Sequence, residues 1–171
     1  LTTAFSIKED IMVLKHLIPR LKEKGVVGIG IKMKRYVEKL PDDIIETANH
    51  FKCIDMIIDN ATYKLTEKFI KELHFTLKSG TSDSRKDWFN VGEYKKLPNE
   101  VGGKETASPE TVAQKVKELL KSYNENNEHT LEEIIDFHYQ LEMIHPFQDR
   151  NGRVGRLIMF KECLKNNIVP F

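Results

Sequence analysis

The stretch His145-Pro146-Phe147-Gln148-Asp149-Arg150-Asn151-Gly152-Arg153-Val154-Gly155-Arg156 sets a base, an acid, a short polar loop and several arginines between two helical patterns. Downstream of it Val154, Leu157, Ile158 and Leu164 recur at helical spacing, which predicts a helix over Gly152 to Asn166. The first N–H groups of such a helix lack an intrahelical acceptor and form the positive end of its dipole, so the loop is a seat for an anion. Arg153 and Arg156 share one helical face and carry fork-like donors suited to phosphate oxygens. Asp149 offers the hard oxygen that Mg²⁺ shares with substrate phosphates. His145 is the residue type that titrates near neutrality, and beside phosphates it is placed to take the proton of an attacking hydroxyl. Base, metal ligand and anion clamp together point to phosphoryl-type transfer.

Working outward, the capping box Thr130-Leu131-Glu132-Glu133 opens a helix running to Ile144, and Ser108-Pro109-Glu110 opens another through Tyr123. Thr66 caps a helix carrying Phe69, Ile70, Leu73 and Leu77, which Ser79-Gly80 terminates. Pro41, ahead of Asp42 and Asp43, starts a helix ending near Asn60, with a core-facing stripe of Ile44, Ala48, Phe51, Cys53, Ile54, Ile57 and Ile58. Ser6-Ile7-Lys8-Glu9 opens an amphipathic helix over about residues 6–18, which Pro19 kinks or ends, with Gly25–Gly30 as a flexible or strand-like link. From Thr81 to Thr106 the chain is polar and glycine-punctuated around Trp88-Phe89 and Val91, which predicts a long excursion containing a small β-hairpin. The expectation is a mainly α fold, with a helical segment over 1–40 and a core over 41–171. Asn167-Ile168-Val169-Pro170-Phe171 begins an apolar run and stops, as a core trimmed at its C-terminus would.

Lys plus Arg total 27 against 26 Asp plus Glu, so the charge shows no broad footprint for nucleic acid or an anionic membrane. No apolar run approaches the ~20 residues that span a bilayer, and the start lacks the pattern of a signal peptide. Cys53 and Cys163 match no metal-ligand spacing and read as core thiols of a reducing cytosol. A cytoplasmic protein without nucleic-acid or membrane partners is expected. His16, His50, His74 and His129 have no ligand-like spacing, and His138, on the face of His145, reads as packing between helices.

The His145–Arg156 segment resembles the Fic signature, His-Pro-Phe-x-Asp/Glu-Gly-Asn-Gly-Arg-x-x-Arg. Val91-Gly92-Glu93-Tyr94-Lys95 through Val101-Gly102-Gly103 is similar to that family's Gly-Glu-Tyr-Arg-like flap, and about residues 45–171 look like Fic core. The resemblance implies a Fic-type helical bundle with a small β-hairpin flap, acting as a protein adenylyltransferase. His145 would deprotonate a Ser, Thr or Tyr hydroxyl that attacks the α-phosphorus of ATP and releases pyrophosphate. Asp149 would hold Mg²⁺, the Asn151 and Gly152 backbone would cradle phosphate, and Arg153 and Arg156 would bind the remaining phosphates. Gly92, Glu93, Tyr94, Val101 and Gly102 would dock the target as an added strand. The partners so implied are a protein substrate and a nucleoside triphosphate, with homo-oligomerisation left open.

Arg150 departs from the signature, standing where the family has glycine. If the position needs a left-handed backbone, a side chain there costs about 1–2 kcal/mol, which a domain can absorb. A guanidinium in this loop either blocks the nucleotide or joins Arg153 and Arg156 as a further phosphate-binding cation. AMP transfer is the reading adopted, against a silent binding module and an enzyme using another donor such as UTP or CDP-choline. The family's inhibitory motif, Ser/Thr-x-x-x-Glu-Gly/Asn, is not matched: Glu9 follows Ser6 too closely, and Glu110, correctly spaced from Thr106, precedes Thr111.

Overall fold

The computed structural model describes residues 42–169, within a unit spanning Asp42–Phe171. The helix expected over residues 6–18 and the segment 1–40 lie outside the described residues. Helix α1 (Asp42–Asp59) opens on two acids that complement its dipole. Helix α2 (Glu67–Lys78) is capped by the Thr66 hydroxyl, which accepts the Phe69 N–H at 3.1 Å. Helix α3 (Val112–Tyr123) starts after a turn on Ser108, whose carbonyl accepts the Thr111 and Val112 N–H groups. Helix α4 (Leu131–Ile144) begins with the full capping box read from Thr130 and Glu133, and helix α5 (Asn151–Lys165) follows the motif loop. Among the described residues no helix is long and apolar enough to cross a membrane.

The excursion after α2 contains a 3₁₀ turn (Asp83–Arg85) and a two-stranded antiparallel hairpin. Strand β1 (Glu100–Val101) pairs Val101 with Lys104 of β2 (Lys104–Glu105). Gly102 and Gly103 make the connection at φ 56° and 74°, the conformation that a two-residue hairpin turn demands. The hairpin is therefore shorter and later than the flap expected from the sequence.

Helix α5 is the axis of the bundle and packs on α4, α1 and α2. Its Val154, Leu157 and Ile158 meet Cys53 and Ile57 of α1, Ile70, Leu73 and Leu77 of α2, and Leu141 of α4 in one core. Close approach to α4 depends on Gly155, where a Cβ would stand 2.6 Å from Glu142 Oε1 and 2.7 Å from the His138 ring. His138 thus packs between helices, as expected.

The inward face of α1 differs from the expected stripe. Its buried residues are Glu46, Asn49, Cys53 and Ile57, while Ile44, Ala48, Phe51 and Ile58 are exposed. The cause is polar docking against the end of α2. Asn49 Nδ2 donates to the carbonyls of Leu77 (3.2 Å) and Ser79 (2.8 Å), satisfying groups that the helix terminus leaves open. One turn earlier, Glu46 faces Lys78, and that pair leads directly into the motif loop.

Candidate active site

Helix α4 ends at His145, whose left-handed backbone (φ 52°, ψ 61°) turns the chain while its N–H bonds the Leu141 carbonyl at 2.9 Å. The ring Nδ1 lies 3.2 Å from the Glu142 carbonyl oxygen. A carbonyl only accepts, so this contact favours a proton on Nδ1 and leaves the Nε2 lone pair free to act as a base.

The loop that follows is held at almost every residue. Pro146 O accepts the Lys95 N–H at 2.9 Å, and Gln148 pairs with the Leu97 backbone through both amide atoms at 3.1 and 3.4 Å. Asn151 Oδ1 accepts the Phe147 N–H and its Nδ2 donates to the Phe147 carbonyl, both at 2.7 Å. The Asn151 side chain is thus a loop staple, which leaves only its backbone at the start of α5 to face an anion. Phe147 is fully buried and stacks on His74 at 4.1 Å with the rings nearly parallel. His74 Nδ1 accepts the Gly92 N–H at 2.9 Å, so one buried imidazole ties the loop to the segment ahead of the hairpin. Burial, then the charge of Lys78, pushes the His74 pKa down to about 4.

Arg150 is the N-cap of α5 and sits in the left-handed region at φ 62°, ψ 20°, so the strain conditional on that backbone applies. Its Nε donates to Glu46 Oε2 at 2.6 Å, the same oxygen that accepts from Arg153 Nη1 at 2.6 Å. Lys78 Nζ donates to the other oxygen of Glu46 at 2.8 Å and to Asp83 at 2.7 Å. Glu46 and Lys78 have no exposed side-chain surface, whereas the Arg150 and Arg153 side chains are 29% and 38% exposed. One buried carboxylate therefore aligns two arginines at the mouth of the site. The exposed Arg156 folds back towards the first turn of α5, its Nη1 lying 3.4 Å from where a Gly152 Cβ would be. On α1, burial, then the charges of Arg153 and Arg156, lowers the pKa of His50.

The Asp149 carboxylate, expected to hold Mg²⁺, is ion-paired in the structure. Its Oδ1 accepts the Arg150 N–H at 2.7 Å, while Oδ2 lies 3.1 Å from Arg150 Nη1 and 3.4 Å from Lys78 Nζ. A divalent ion on this carboxylate would meet two fixed positive charges and be repelled by several kcal/mol. The neighbouring Glu46 and Asp83 are committed to the same cations. As arranged, Asp149 is the counter-ion of Lys78 and Arg150, and these residues do not fit the metal.

The expected flap divides in two. Val101 and Gly102 lie on the hairpin, but Gly92, Glu93 and Tyr94 precede it in a turn anchored to the core. Gly92 (φ 80°) would place a Cβ 2.9 Å from Phe75 Cβ, Glu93 pairs with Lys71 at 3.0 Å, and Tyr94 packs on Phe147. Glu46, Lys78, Asp83 and His74 went unrecognised in the sequence. The available signal was a polar residue at a position that helical period assigns to the core, as with Glu46 on α1 and His74 and Lys78 on α2.

The Fic/DOC family profile matches residues 64–163, more than half of the chain and all of the motif loop. The chain belongs to the Fic/DOC family. A Fic domain containing signaling protein from Bacteroides thetaiotaomicron is 34% identical with a TM-score of 0.63, over 72% of this chain and 49% of that one. A Fic family protein from Desulfovibrio desulfuricans is 28% identical with a TM-score of 0.57, over 71% of this chain and 37% of its own. The protein adenylyltransferase Fic of Drosophila grimshawi is 31% identical over 110 residues, which is 60% of this chain but 23% of that protein. A shorter match, 42% over 50 residues, links 29% of this chain to 9% of the purine catabolism regulatory protein of Bacillus subtilis. The chain thus spans less than a quarter of either curated relative.

Two predictions follow from the backbone and from His74. Arg150→Gly and Arg150→Ala both delete the guanidinium, but only alanine carries the left-handed strain, so glycine should be the more stable by about 1 kcal/mol in urea unfolding. His74 stays neutral when folded, so its share of stability is complete above the unfolded value of 6.5 and is lost as pH falls towards about 4. The loss amounts to about 3 kcal/mol, and His74→Phe should flatten this part of the stability–pH curve.

Proposed function

We propose that this chain is a protein adenylyltransferase that moves AMP from ATP to a Ser, Thr or Tyr hydroxyl of a target protein. The observation that carries the reading is the His145 ring, whose contact with the Glu142 carbonyl leaves Nε2 as a base at the other end of the loop that Arg150 closes as the N-cap of α5. In the step, the target oxygen forms a bond to the α-phosphorus, its proton passes to His145 Nε2, and the bond to pyrophosphate breaks. The backbone N–H groups of Asn151 and Gly152 face the transferred phosphate, and Arg150, Arg153 and Arg156 hold the leaving group. Val101 and Gly102 offer a strand edge to the target, with the turn at Gly92, Glu93 and Tyr94 supporting it. The name of the Drosophila relatives supports this choice of donor.

Arg150 in the loop favours a second reading, a binding module that no longer transfers. Transfer of label from ATP, to the chain itself and to lysate proteins, separates the two. The parent should label its target, and His145→Ala should lower the rate by ~10²–10⁴-fold. Label appearing only with Arg150→Gly would establish the silent module, and use of UTP but not ATP would change the donor.

A further inference from the structure

We infer that Arg150 takes the place of a divalent cation, so that this site binds a polyphosphate without a metal ion. The inference rests on the proposed reading of the α5 N-terminus as a phosphate site and adds how its charge is balanced.

A divalent ion in such a site would do two things: neutralise phosphate oxygens and tie them to the loop carboxylate. Arg150 already holds that carboxylate, through its own N–H at 2.7 Å and Nη1 at 3.1 Å. Its third bond, from Nε to Glu46 at 2.6 Å, fixes the guanidinium on a wholly buried partner, and its Nη2 has no protein acceptor among the described residues. Arg153, held on the same Glu46 oxygen, is likewise partly exposed. Around the loop, Lys78, Arg150 and Arg153 pair with Glu46, Asp83 and Asp149, so each of these carboxylates already has a fixed cation with no ion added. Removing the Arg150 side chain would leave this cluster short of one cation and release Asp149 from its closest one. Only then would the loop have both the need for a divalent ion and the ligand to hold it.

The decisive experiment is calorimetric titration of the whole chain with inorganic pyrophosphate, once in EDTA and once in Mg²⁺, at matched free pyrophosphate. The parent Kd should agree within about threefold between the two conditions. Arg150→Gly should bind about tenfold or more weakly in EDTA and recover in Mg²⁺. A parent that binds only with Mg²⁺ would overturn the inference while leaving the phosphate-site reading intact. Absence of binding in both conditions would defeat both. Equal binding of Arg150→Gly and the parent in EDTA would remove Arg150 from the role.

Discussion

The Glu46 carboxylate is the contact on which the motif loop depends. Burying it entirely costs several kcal/mol unless cations compensate, and the fold provides them from three places: Lys78 at the end of α2, Arg150 in the loop and Arg153 on α5. Helices α1 and α2 and the loop are therefore fixed by one acid rather than by apolar contact alone. Removing one partner would leave an unbalanced charge in the interior, which makes this cluster more restrictive than a surface ion pair.

From that constraint follows the form of the site. Arg150 accepts a left-handed backbone that disfavours side chains, and its ion pairs with Glu46 and Asp149 offset the strain. His145, also left-handed, turns its ring onto the Glu142 carbonyl and presents a basic nitrogen. Between these two residues the Asn151 staple and the His74–Phe147 stack hold the loop against the core. A preorganised base and donor set needs little rearrangement when charge develops on a phosphate, which is where such an arrangement gains rate.

Helices α2 and α4 were legible because their caps and apolar period agree, Thr66 with Phe69 and Thr130 with Glu133. The motif residues were legible because they lie within one short segment. Glu46 was not, because its partners Arg150 and Arg153 stand 104 and 107 residues away, and a helical-wheel reading assigns the inward face of α1 to its isoleucines. The same limit hides the ion pairs of Asp149: residue type offers a metal ligand, and only the fold brings Lys78, 71 residues distant, against it. The turn at Gly92 reads as part of the hairpin because glycine spacing marks reversal without saying whether the chain pairs with itself or docks on Phe75 and His74.

The most direct measurement of this account is a double-mutant cycle in urea unfolding, with Glu46→Gln, Arg150→Gly and the two combined. The account predicts that the two substitutions are coupled by at least about 1 kcal/mol, as for charges sharing one buried network. Additivity within about 0.5 kcal/mol would contradict it, showing that Glu46 and the loop arginine act independently.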